Sequence, residues 1–157
     1  MPVILLRAMK YNISCPAFFE EANQKYNKTK WDNYRARYSE SFHLDLYDSL
    51  GHFGAARSLK LDVVCSMANI PGKYDVHGSD VMELYYAGEI EKIREYCESD
   101  VLNTYWLLLK YELLKGNHQR SDYSEALMLF QERLPKNRSY SDIFVQFIEN
   151  ELQKLNN

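Results

Sequence analysis

The stretch Glu89-Ile-Glu-Lys-Ile-Arg-Glu-Tyr-Cys-Glu-Ser-Asp100-Val-Leu-Asn-Thr-Tyr-Trp-Leu-Leu-Leu-Lys-Tyr-Glu-Leu-Leu114 decides how the chain is read. It contains neither Gly nor Pro, and its apolar residues Ile90, Ile93, Cys97, Val101, Tyr105, Leu108, Leu109 and Leu113 recur at helical spacing. Gly88 precedes it, and Lys115-Gly116-Asn117 supplies a stop signal with a cation in the last turn. Its length predicts a helix of about 39 Å at 1.5 Å per residue. Tyr96 and Asp100 are four residues apart, so they project from one face, one turn apart. A phenol and a carboxylate fixed in this way suit either a shared metal-bound substrate or an ordinary half-buried pair. Thirteen Tyr and nine Asp in 157 residues would give about 0.7 such pairs by chance, so the spacing alone decides nothing.

Working outward, size and composition describe a globular chain. A length of 157 residues predicts a single domain with a real core, and 46% hydrophobic against 26% charged residues is ordinary. A formal charge of -3 does not advertise nucleic-acid binding, although a metal-dependent nuclease needs acidic residues in its site. Cys15, Cys65 and Cys97 are scattered and odd in number, which points to reduced thiols in a cytoplasmic compartment. No apolar run approaches the roughly 18 residues that cross a bilayer, so no membrane partner is expected.

Upstream, Pro2 to Met9 reads as a helix without a capping lead-in, and Ala17 to Asn27 as either a marginal helix or an ordered loop. Lys28-Thr-Lys-Trp-Asp-Asn-Tyr-Arg-Ala-Arg-Tyr38 mixes four cations with three aromatics. That composition suits either a nucleic-acid surface or a solvated loop pinned by Trp31. Phe42 to Tyr47 alternates and reads as a strand. Ser58 is a plausible cap for a helix from Leu59 to Ala68, and Ser79 for one from Asp80 to Ala87. Downstream, helices are expected over Tyr123 to Leu134 and Ser141 to Leu155. Ile143, Phe144, Phe147, Ile148 and Leu152 form a core-facing stripe in the second of these. A lone strand has no backbone partner, so either the domain is mostly helical or the rest of a sheet lies elsewhere. His43, His52, His77 and His118 lack metal-ligand spacing, and no nucleophile arrangement or phosphate-binding Gly loop is present.

Four stretches occur in order: Lys30-Trp-Asp-Asn-Tyr-Arg-Ala-Arg-Tyr38, His43-Leu-Asp-Leu-Tyr-Asp48, Ile70-Pro-Gly-Lys73 and Tyr96-Cys-Glu-Ser-Asp100-Val. Together they resemble the predicted 3′–5′ exonucleases related to the proofreading domain of family B DNA polymerases. Tyr96-Cys-x-x-Asp100 is similar to the third exonuclease motif of that group. The resemblance implies an α/β, ribonuclease H-like fold of the tyrosine-type, four-carboxylate superfamily. By that likeness Asp100 is a ligand of one of two divalent cations, Mg²⁺ or Mn²⁺, and Tyr96 orients the attacking water. Lys30, Arg35, Arg37 and Lys73 become candidate contacts to single-stranded nucleic acid or a 3′ end. Asp45 suits either a residue lining the cleft or, the favoured reading, solvated strand polarity.

The first motif, Asp-x-Glu, is absent, and Met1-Pro2 looks like the two residues that follow the Asp of the second. The chain therefore reads as one incomplete domain over 1–157, the C-terminal, mostly helical portion of the fold with the opening strands missing. Residues 1–120 would be the exonuclease-like portion and 121–157 a helical extension. One carboxylate cannot hold two cations, so the chain alone is expected to bind none and to be inactive. On this reading either Met1 is an internal methionine of a longer exonuclease or the gene is split, with a separately encoded N-terminal portion as partner. The alternative function is a non-catalytic nucleic-acid-binding or helical interaction module. Uncovered apolar faces on Pro2 to Met9 and Phe42 to Leu46 predict poor solubility.

Overall fold

A computed structural model describes residues 2–40, 42–56, 59–73 and 76–156. The chain is mostly helical and divides into two compact units, Met1–Arg57 and Ser58–Asn157. In the first unit, α1 (Pro2–Lys10) and the short α2 (Pro16–Phe19) precede a 3₁₀ turn at Gln24–Tyr26, and α3 (Leu46–Leu50) is followed by another at His52–Gly54. The second unit contains α4 (Leu61–Met67), α5 (Val81–Tyr86), α6 (Ile90–Lys115), α7 (Arg120–Arg133) and α8 (Ser141–Leu155).

The alternating segment from Phe42 to Tyr47 is not a strand. Among the described residues the only β pairing is an isolated bridge between Asn23 and Lys28. The reason is local: the Asp45 carboxylate accepts hydrogen bonds from the backbone N–H groups of Tyr47 (3.0 Å) and Asp48 (3.2 Å). It therefore starts α3, and a helix cap overrides a two-residue alternation too short to find a sheet. Asp45 is thus a capping residue. Ser58, the expected cap of α4, lies outside the described residues. Ser79 caps nothing; its hydroxyl bonds Asp80, the residue before α5.

Trp31 does not pin its loop, because it is 64% exposed. Asn33 does so instead: buried, it donates to the Lys30 carbonyl (2.6 Å) and accepts from the Arg35 N–H (2.9 Å). Phe18, Tyr34 and Phe42 pack beside it, with Tyr34 and Phe42 edge to face at 4.9 Å. Along α1, Val3, Ile4, Leu6 and Met9 are all exposed, which accords with the uncovered face expected there.

The 26 residues of α6 organise the second unit. Gly116 ends the helix in the left-handed region (φ 77°), where only Gly is free of strain. The helices α4, α5 and α7 pack against α6, and α8 packs on α7. Of the eight apolar residues that recur along α6 only Leu109 is buried; Ile90, Cys97, Val101 and Tyr105 are exposed, and Ser99, Asn103, Trp106 and Leu107 face inward. Trp106 centres an aromatic cluster with Phe130 and Phe144, whose ring centroids lie 6.0 and 6.4 Å away. Its indole N–H donates to the Tyr123 hydroxyl (2.9 Å), which in turn donates to Glu151 (3.2 Å). Glu151 is ion-paired with Lys110. A Gln119/Asp122 capping box starts α7 three residues earlier than its apolar pattern suggests.

Phe144→Ala is expected to cost about 3–5 kcal/mol by leaving a cavity in this cluster. Tyr123→Phe should cost about 1–3 kcal/mol by orphaning the buried indole N–H. Urea denaturation followed by the emission of the buried Trp106 measures both.

Candidate active site

Tyr96 and Asp100 sit one turn apart on α6, as their spacing requires. Burial, followed by the charge and hydrogen bonding of the Asp100 carboxylate, holds the Tyr96 phenol above its ordinary pKa. The group is therefore a neutral O–H donor at physiological pH. Gly78 leaves room beside it, since a Cβ there would lie 3.4 Å from the Tyr96 hydroxyl.

A second carboxylate, which the sequence reading passed over, belongs to the same cluster. Asp62 lies in the first turn of α4, and its charge acts on both Tyr96 and Cys65. The Cys65 thiol is fully buried, and its pKa is pushed up to about 12 by burial first, then by Asp100 and Asp62. One oxygen each of Asp62 and Asp100 (Oδ1 in both) is buried with no hydrogen-bond partner among the described residues. Leaving a buried acceptor unsatisfied costs about 1–3 kcal/mol, and more for a charged group. Nothing in the sequence around Asp62 marks it, because an acid in a first helical turn is common for reasons of the helix dipole alone.

The segment between α4 and α5 is fastened to this face of α6. Asn103 donates to the Gly72 carbonyl (2.7 Å) and accepts from the Gly72 N–H (3.0 Å), and both bonds are buried. Gly72 has φ +73°, and a Cβ there would meet the Cys65 Cβ at 3.4 Å, so the turn requires glycine. Lys73 follows immediately, half-buried, in the same unit as Tyr96 and Asp100. Its charge helps to lower the Asp80 pKa, after hydrogen bonds from His77 and Ser79.

The other predicted contacts, Lys30, Arg35 and Arg37, belong to the first unit. Arg35 is ion-paired with Glu21. Arg37 makes a bidentate pair with Asp48, Nε to Oδ2 and Nη2 to Oδ1 both at 2.8 Å, and its guanidinium lowers the Asp48 pKa. Both guanidinium groups are thus already engaged. Lys30 lies over the Trp31 ring, 4.9 Å from its centroid.

An apolar groove of about 380 Å³ also lies along α6, lined by Arg94, Cys97, Glu98, Val101, Leu102, Pro135 and Tyr140. Neither Tyr96 nor Asp100 lines it. Beside it, Arg138 pairs with Glu98 (2.9 Å) and the Tyr140 hydroxyl donates to Glu98 (2.9 Å), tying the α7–α8 connection to α6.

The family model described as a predicted 3′–5′ exonuclease related to the exonuclease domain of PolB matches residues 1–150. The chain belongs to that family. Comparisons with curated proteins and with solved structures return no match. For a member of this family, the oxygen donors of Asp62 and Asp100 are the right chemistry for hard divalent cations. They are too few for a pair of such ions, and no group of three ligating side chains occurs among the described residues.

Iodoacetamide at neutral pH should therefore label the exposed Cys97 and leave Cys65 unmodified until the chain is denatured. Asp100→Asn should bring the Tyr96 phenol pKa down, because it removes a neighbouring negative charge. Following the Tyr96 ring carbon by NMR through an alkaline titration checks the direction.

Proposed function

We propose that this chain carries one wall of a metal-dependent 3′–5′ exonuclease site, and that it acts on single-stranded nucleic acid at a 3′ end. The observation that carries the reading is the pairing on α6 of a protonated phenol with a carboxylate whose Oδ1 is buried with no hydrogen-bond partner among the described residues. Family membership supports it. In the complete site Asp100 is one carboxylate ligand, and the cations supply charge neutralisation at the phosphodiester. The Tyr96 hydroxyl, kept protonated by burial and by Asp100, orients the attacking water. Further carboxylates come from a partner polypeptide that completes a ribonuclease H-like sheet, because the described residues provide fewer than three ligands in one place. Alone, the chain is a nucleic-acid-binding portion without hydrolytic activity.

Incubated with Mn²⁺ and a 5′-labelled single strand, the chain by itself is expected to leave the strand intact. Adding a polypeptide that bears the acidic Asp-x-Glu strand should yield a ladder shortening from the 3′ end. Asp100→Ala should abolish the ladder, and Tyr96→Phe should slow it roughly 10²-fold. A ladder undiminished in Asp100→Ala would overturn the site.

A further inference from the structure

The five cations between Asn23 and Tyr38 fall into two groups; elsewhere in the first unit Arg7 and Lys10 both lie over the Tyr11 ring. Lys28, Arg35 and Arg37 are ion-paired with Glu20, Glu21 and Asp48. Lys25 and Lys30 have no carboxylate within ion-pair distance among the described residues, and each lies over the ring of the next residue. Lys25 is 5.4 Å from the Tyr26 ring centroid and Lys30 is 4.9 Å from that of Trp31. Both rings are 64% exposed.

These two ring–cation pairs stand on a backbone held in place from within. Asn23 and Lys28 exchange two backbone hydrogen bonds (3.1 and 2.9 Å), closing a turn with Lys25 and Tyr26 at its tip. Asn27 takes the left-handed conformation (φ 51°) that this reversal needs, and the Asn23 side chain accepts from the Lys25 N–H at 3.1 Å. The next turn is fixed by Asp32, which accepts from the Thr29 N–H (3.0 Å) and hydroxyl (2.6 Å), and by Asn33 on the Lys30 carbonyl (2.6 Å). Isolated exposed rings need no explanation, but two rings with their own lysines on a braced loop form a repeated motif.

We infer that the loop from Asn23 to Asn33 is a stacking site for single-stranded nucleic acid, with bases on Tyr26 and Trp31 and phosphates on Lys25 and Lys30. This rests on the reading of the chain as one that acts on nucleic acid, and it moves the contact away from the engaged Arg35 and Arg37. Charge complementarity supports it: residues 1–57 carry eight Lys or Arg against six Asp or Glu, a net +2, whereas 58–157 carry 11 against 16, a net -5. A single strand offers the alternation of flat apolar faces and anionic groups that the loop displays. A duplex has its base faces already stacked on one another and offers none to the rings.

The chain supplies its own reporter, because Trp106 is fully buried and Trp31 is exposed. Titrating the full chain with an oligodeoxythymidylate in EDTA should quench Trp31 emission to saturation, and a duplex of the same length should not. By anisotropy of a labelled oligonucleotide, Trp31→Ala and Tyr26→Ala should each weaken binding about tenfold, with helix content by circular dichroism unchanged. Lys25→Gln and Lys30→Gln should each lower the slope of log affinity against log salt by about 0.7. The inference is overturned by absence of quenching, by unchanged binding in the ring variants, by equal binding of duplex, or by quenching on raising protein concentration alone. The absence of metal separates the two readings: a failed Asp100 test removes hydrolysis and leaves this binding untouched. Loss of binding here with that test passed removes only the loop.

Discussion

Two buried hydrogen bonds between the Asn103 side chain and the backbone of Gly72 hold the candidate site together. They satisfy both polar groups of a turn residue that would otherwise be buried without partners, and both polar ends of an amide on an inward helix face. The same clasp ties the turn that follows α4 to α6. Asp62 on one helix and Tyr96 and Asp100 on the other therefore act on a common neighbourhood, with the Cys65 thiol beneath them. An apolar residue at 103 would keep α6 helical and leave the Gly72 N–H and carbonyl without these two partners.

Around that clasp the second unit separates two kinds of interior. The end of α6 beyond Asn103 is aromatic, with Phe130 packed edge to face on both Trp106 and Phe144 and a Trp106–Tyr123–Glu151–Lys110 chain satisfying the polar atoms among them. The earlier end is polar, with Ser99 and Asn103 facing inward and carboxylate oxygens buried without partners among the described residues. Stability is concentrated where the rings are, and the unsatisfied acceptors lie where chemistry is proposed. Such an arrangement is common in sites that meet a charged ligand.

The first unit solves a different problem. It has little apolar burial and relies on side chains that cap their own backbone: Asn23, Asp32, Asn33 and Asp45 each close a turn or start a helix. Ion pairs across sequence, such as Arg37 with Asp48, neutralise part of its positive charge and leave the rest beside exposed rings. Among the described residues of both units, no helix is long and apolar enough to cross a membrane.

The sequence by itself determined the long helix, its glycine stop, the one-turn relation of Tyr96 to Asp100 and the family, because these depend on period, capping and short-range order. It was misleading at Phe42 to Tyr47, where two-residue alternation competed with an Asp45 cap and local hydrogen bonding won. The apolar periodicity that marked α6 did not say which residues neighbours cover, and Cys97 and Val101 lie exposed. Only tertiary structure brought Asp62 to Tyr96 across more than thirty residues, engaged Arg35 and Arg37 with carboxylates, and left Tyr26 and Trp31 in solvent. Those outcomes depend on which surfaces meet after the chain has folded back on itself, and no local pattern records that.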